Sequence, residues 1–185
     1  MVVTGTHGPG SGSSVFERAA EAVRNTRLRD DLLVREIAAP GGLAREAIAL
    51  AADIRPDVDG EDSVYGNGRF ILLYDPSVPE AWGGPFRIVC FAQAPLETEI
   101  GSDPLLAEVA WSWLTDALGS RHAEYHSASG TATKSLSTGF GELAAEGSGA
   151  QIELRASWTP GPGDLSKHVE AWAELLCMLG GLPPG

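Results

Sequence analysis

The stretch "SASGTATKSLSTGF", residues 127–140, decides how the rest of the chain is read. It holds seven Ser/Thr hydroxyls and a single lysine. Ser127, Ser129, Thr131, Thr133, Ser135 and Ser137 recur at every second residue. That is the period of a β-strand, and it places these hydroxyls on one face. A phosphate loop of the form GxxxxGK[ST] needs glycine immediately before Lys134, where Thr133 stands. A Ser-x-x-Lys acyl-transfer pair needs serine where Thr131 stands. The segment is therefore read as a strand. Ala128, Gly130 and Ala132 on its second face leave room for a helix bearing Trp113 or Trp172 to approach closely. The hydroxyl face is either turned to water or opposed to a polar ligand, with Ser129, Thr131 and Thr133 at its centre.

Upstream, His122, Glu124 and His126 continue the same alternation and are expected on one face. In an extended strand the two histidines stand about 13 Å apart, too far to share one zinc ion. No cluster of Cys or His elsewhere completes a ligand set, so no metal and no cofactor is expected. The chain contains no Gly-x-Ser-x-Gly elbow and no G-x-G-x-x-G turn opening a helix. "GNG" at 66–68 precedes an apolar run and reads as a hairpin turn.

Further out, "RFILLY", "FRIVCFAQA" and "QIELRASWTP" are β-branched or aromatic runs bounded by Gly, Pro and Asp, and predict strands. The start of the first should pair back with residues 52–54. "DPLLAEVAWSWLTDAL", 103–118, predicts a helix capped by Asp103, with Pro104 at its first position and Gly119 past its end. Trp113 is expected at the centre of its buried face and Trp111 at the edge. Asp164 opens a similar helix with Val169, Trp172, Leu176 and Leu179 inward. Strand, Pro-rich turn and Asp-capped Trp-bearing helix thus occur twice, by duplication or by convergence on the same punctuation. Ser14-Val15-Phe16-Glu17 has the capping-box form and predicts a helix to about Asn25. "LLVREIAAP" reads as extended up to Pro40. Leu43, Ala47, Ile48 and Ala51 are spaced for a second helix. The acidic stretch 52–68 misplaces the glycine of a calcium loop and reads as a solvated turn.

The resulting expectation is an α+β protein in the order ααβββαββα, with an antiparallel sheet of about five strands covered on one face by helices. Residues 1–13, rich in Gly, Ser and Thr, are expected as a disordered tail before a single domain at 14–185. No apolar run approaches the roughly 20 residues of a membrane span, and no signal-peptide core is present, so a cytoplasmic protein is expected. Cys90 and Cys177 lie in apolar runs and read as reduced, buried thiols.

The net charge of −12 arises wholly beyond residue 55, where six basic residues face eighteen acids. Such a body repels a phosphate backbone, which argues against nucleic-acid binding. With no catalytic constellation, the reading is a non-catalytic protein-binding or chaperone-like module that meets a protein partner or a second copy of itself. Trp82, in a loop, and Trp111 are expected to be exposed and to make that contact. The alternative is a small-molecule binder or enzyme with its pocket over strand 127–137.

The motifs "GRFILLYDP", "AWGGPFRIV", "DPLLAEVAWSWL", "SGTATKS", "IELRASWTP" and "AWAELLCMLGGLPP", in this order, resemble a bacterial family known as domain of unknown function three thousand. The resemblance runs from about Val15 to Pro184 and implies a small soluble protein. It implies no activity, ligand or catalytic residue.

Overall fold

The computed structural model describes residues 11–55 and 65–183, of which 11–13 are described by their backbone. Helix α1 spans Ser11–Arg24 and strand β1 Leu32–Ile37. Strands β2 (Glu46–Ile54), β3 (Asn67–Tyr74) and β4 (Phe86–Leu96) follow, then a short helix α2 (Thr98–Gly101) and helix α3 (Leu106–Ser120). Strand β5 (Tyr125–Thr138), a 3-10 turn (Gly141–Glu146), strand β6 (Ser148–Pro160) and helix α4 (Ser166–Leu179) complete the order. The class is α+β, as expected, but the sheet has six strands, ordered β1-β2-β3-β4-β6-β5, and every neighbouring pair is antiparallel.

The extra strand is β2, where helical spacing predicted a helix. Its segment "EAIALAADI" is alanine-rich, and alanine is the best helix former. Here β2 pairs with β1 on one side and β3 on the other, and Ile48 through Ala52 are all buried. A short continuous apolar run suits a doubly paired strand as well as a buried helix, and ladder pairing on both edges overrides propensity. The expected pairing of residues 52–54 with the start of the next run is present as Ala52 opposite Gly68 and Asp53 opposite Asn67.

Helix ends also differ from expectation. The first helix already includes residues 11–13, which were read as tail, so Ser14 lies within it and not at its cap. Residues 1–10, and the calcium-like stretch at 56–64, lie outside the described residues. At α3, Asp103 Oδ1 accepts the Leu105 N–H at 2.9 Å, so Asp103 caps a turn that precedes the helix. Gly119 falls inside α3, and α2 was not foreseen.

Helices α1, α3 and α4 lie on the face that carries Ile48, Leu50, Phe70, Leu72, Ile88, Ile152, Leu154 and Trp158. The most buried of the three is α4, with ten of its fourteen residues inaccessible, from His168 to Leu179. Its Trp172 packs on Phe70, ring centroids 5.7 Å apart, and its indole N–H donates to the Phe91 carbonyl at 3.1 Å. Gly68 makes this possible. A Cβ there would stand 2.7 Å from the Phe91 oxygen and 3.1 Å from Trp172 Nε1. Gly68 is thus a strand residue of β3 that makes room for an indole, where the sequence suggested a hairpin turn. At the other end of α4, Trp158 Nε1 donates to His168 Nδ1 at 3.0 Å, and burial pushes the His168 imidazole down to about 4. Phe16 of α1 stacks on Tyr74, which in turn packs on Phe86.

The fully buried tryptophans are Trp158 and Trp172, whereas Trp113 is only half-buried. The expected central place of Trp113 is therefore corrected. It flanks the row formed by Leu106, Ala110, Leu114, Ala117 and Leu118. Leu105 and Val109 are exposed.

Two outcomes follow from this packing. Gly68→Ala should lower stability by about 1–3 kcal/mol through overpacking. Trp172→Ala should cost about 3–5 kcal/mol, and Trp113→Ala clearly less. Urea melts place these, and a Gly68→Ala midpoint equal to that of the parent would contradict the seating of Trp172. The depressed His168 also makes stability depend on pH. Between its ordinary value of 6.5 and about 4, the unfolded imidazole takes up a proton that the folded one refuses. Stability is therefore fully present above pH 6.5 and falls as pH drops through this window, by at most about 1.4 kcal/mol per unit. His168→Gln keeps an acceptor for Trp158 and should flatten that slope in melts at stepped pH; an unchanged slope would show that another group causes it.

Candidate functional site

Strand alternation sends half of each strand's side chains away from the helices; the β3–β4 connection packs over one end of that second face, against the buried Thr159, and the helices lie on the other face. Register arranges these residues in rows across the sheet. One row runs Arg35, Ala51, Arg69, Phe91, Arg155, Thr131, from β1 to β5. The neighbouring row toward the other strand ends runs Leu33, Asp53, Asn67, Gln93, Glu153, Thr133. On the opposite side lies Ile37, Ala49, Ile71, Val89, Ser157, Ser129. An arginine row is thus bordered by an amide-and-carboxylate row and a largely apolar one.

The three arginines stand on alternate strands, about 10 Å apart at a strand spacing of about 4.8 Å. Arg35 meets Asp53 at 2.7 Å and Arg155 meets Glu153 at 2.5 Å, all at or near the surface. Among the described residues Arg69 has no carboxylate in reach. The Arg155 guanidinium carbon lies 5.7 Å from the Phe91 ring centroid, a cation–π contact. Between these side chains runs an open groove of about 460 Å³, lined by Asn67, Arg69, Ile71, Val89, Phe91, Gln93 and Arg155.

A fourth arginine closes one end of this face. Arg87 is 9% exposed and donates to the Ser127 carbonyl at 2.9 Å, Thr159 Oγ1 at 2.9 Å and Ser157 Oγ at 2.8 Å. Burial lowers its pKa without neutralising it. Ser127 is the bulged residue of β5: its φ is +56°, and the register with β6 shifts between His126 and Ser129. The bulge interrupts the hydroxyl alternation expected from 127 onward, so the regular series begins at Ser129. Thr159 Oγ1 in turn donates a hydrogen bond to the Trp82 carbonyl at 2.6 Å, tying the β3–β4 connection to the same node.

The sequence-predicted contact residues divide between two surfaces. Ser129, Thr131 and Thr133 come together on the helix-free face, opposite Ser157, Arg155 and Glu153. Trp82 is half-buried in the β3–β4 connection, not exposed. Trp111 is likewise half-buried, on the helix side over Gly130, where a Cβ would stand 2.6 Å from its Cζ3. The small residues of β5 do admit an indole, but that of Trp111 in place of Trp113 or Trp172. The groove lies over β3, β4 and β6, and none of its lining residues comes from strand 127–137, where the alternative reading of the sequence expects a pocket.

The His122, Glu124, His126 alternation is not realised. His122 sits in the turn after α3 with φ +54°, and β5 begins only at Tyr125. His126 Nδ1 lies 2.9 Å from Ser127 Oγ. Among the described residues no three His, Cys, Asp or Glu side chains are grouped to hold a metal. Both cysteines are buried and unpaired, and burial pushes the Cys90 thiol up to about 12 and that of Cys177 to about 11. Arg29 approaches Cys177 from the α1–β1 loop, a neighbour that linear spacing concealed, but desolvation outweighs its pull. Neither thiol is available as a nucleophile at neutral pH.

Sequence reasoning also missed a charge cluster at the far end of α4. Glu174, 9% exposed, accepts from Arg121 at 3.1 Å and lies 4.0 Å from Arg29. Arg29 also holds Asp31 at 2.8 Å and donates to the Pro183 carbonyl at 2.8 Å. These residues come from four separate stretches of the chain and join the ends of α3, α4 and the α1–β1 loop.

Among the described residues no helix is long and apolar enough to cross a membrane. Comparison with curated proteins and with solved structures finds no significant match. The sequence matches the family model DUF3000, described as a protein of unknown function, over residues 12–185, and the chain belongs to that family.

Proposed function

We propose that this protein is a non-catalytic binding module whose working surface is the helix-free face of the sheet, and that its ligand is an extended, acidic segment of another protein. The observation that supports this reading most directly is the arginine row. In a chain of net charge −12, four of the thirteen basic residues, Arg35, Arg69, Arg87 and Arg155, converge on one face where, among the described residues, only Asp53 and Glu153 stand in opposition. Flexible acidic side chains of an extended segment can bridge to guanidinium groups about 10 Å apart, and within the row Arg69 is the arginine with no carboxylate partner among the described residues. Ile71, Val89 and Phe91 beside it offer apolar contact that a purely ionic surface lacks. The strongly acidic remainder of the chain disfavours a nucleic-acid phosphate backbone in the same role. Ser129, Thr131 and Thr133 would supply hydroxyl donors at the rim.

The test uses a panel of extended peptides alternating Glu or Asp with aromatic residues, titrated against the whole protein by fluorescence anisotropy. Acidic peptides should bind, neutral amide versions should not, and Arg69→Ala should weaken binding by about tenfold, as for loss of a charge-assisted hydrogen bond. Equal affinity of acidic and amide peptides, or an unaffected Arg69→Ala, would overturn the reading.

A further inference from the structure

The two edges of the sheet are unlike. At one edge β1 is six residues long and carries Arg35 and Glu36, which form ion pairs with Asp53 and Arg24. Short, charged edges of this kind resist pairing with another chain. At the other edge β5 is fourteen residues long, and among the described residues only β6 pairs with it. No acidic residue occurs from 125 to 141, although the chain carries twenty-five. No proline interrupts β5, and its one charge, Lys134, is turned to donate to the Asp103 carbonyl at 3.0 Å. Near its end Leu136 is 62% exposed and Phe140 79% exposed.

We propose that two copies of this chain pair through the free edge of β5, antiparallel about a two-fold axis at Thr133, so that the sheet runs on across both copies. A two-fold perpendicular to the sheet keeps helix-side residues opposite helix-side residues, so only alternate registers are allowed. Centring on Lys134 would set two ammonium groups face to face, which is unfavourable. Centring on Thr133 avoids this and uses the whole regular segment from Ser129 to Ser137, a run of about 27 Å. The backbone bonds of such a run approach the ~10 direct hydrogen bonds of an ordinary protein interface.

Side chains fit the same register. Leu136 falls opposite Gly130 of the second copy, the position whose missing side chain is filled by Trp111. An exposed leucine on each copy is thereby brought against an indole that its own chain leaves half-exposed. On the other face Thr133 meets Thr133, Thr131 meets Ser135, and Ser129 meets Ser137, all small hydroxyl pairs that suit cross-strand packing. The pairing leaves the arginine row open, so it can fail without affecting the acidic-segment reading, and the reverse also holds.

Charge substitution at the two-fold tests the pairing. Sedimentation of the whole protein in moderate salt should show a dimer. Thr133→Lys places like charges face to face between copies, yet within its own chain it stands opposite Glu153, so folding should be undisturbed in a thermal melt. Self-association of Thr133→Lys and of Thr133→Glu, the latter combined with Glu153→Gln so that no like charge stands opposite it within the chain, should each weaken by about tenfold or more, and mixing the two should restore association as a heterodimer. A monomeric parent protein, a Thr133→Lys variant that associates as the parent does, or a mixture that stays monomeric would each overturn the proposal.

Discussion

Much of this fold depends on the seating of one indole. Trp172 approaches the middle of the sheet closely only because β3 presents Gly68 there, and its N–H then finds a main-chain carbonyl on β4. An indole buried without that partner would carry an unsatisfied donor at a cost of about 1–3 kcal/mol. With Trp172 fixed, α4 crosses the sheet as its most buried element. Both α3 and α1 then pack against α4 and the sheet, so the helical layer is laid down on one side.

The consequence for function is a sheet finished on one face and unfinished on the other. Helix packing selects Ile, Leu, Phe and Trp at alternate positions, and the residues between them are free to serve another purpose. In this chain they include three arginines brought into line by the registers of four strand pairings. Arg87 shows how that face is held in shape. With no carboxylate to meet, it is held by a carbonyl and two hydroxyls, and those contacts fix the bulge at Ser127 and, through Thr159, the loop of Trp82. A guanidinium satisfied in this way stays cationic and contributes to the field over the groove.

The sequence carried some of this plainly and some not at all. Residues 127–138 announced a strand because hydroxyls alternate with small residues, and the α3 and α4 segments announced helices through their apolar spacing. Failure came where local signals are degenerate. In β2 alanine suits both a helix and a doubly paired strand, and only its neighbours decide. His122 ended up in a turn because the chain leaves α3 through Arg121 and His122, and alternation cannot reveal where a strand begins. The arginine row was invisible for a different reason. Arg35, Arg69 and Arg155 are separated by 34 and then 86 positions, and only strand order and register bring them into line. Burial of Trp113 was overstated because its helix packs against α4 and β5 at once, and a helical wheel drawn for a single contact surface rotates the stripe.

The charged, six-residue β1 bears on how far an assembly could grow. A sheet with two receptive edges can add copies without end, each addition exposing a fresh edge. Here the edges are unequal, and a contact between identical edges uses up the receptive one on both copies. What remains outward is β1 with its ion pairs at each extremity, which offers no template for another strand. The stoichiometry is then limited by the chain itself: addition stops at two, and no separate capping protein is needed to keep so long a β-sheet finite.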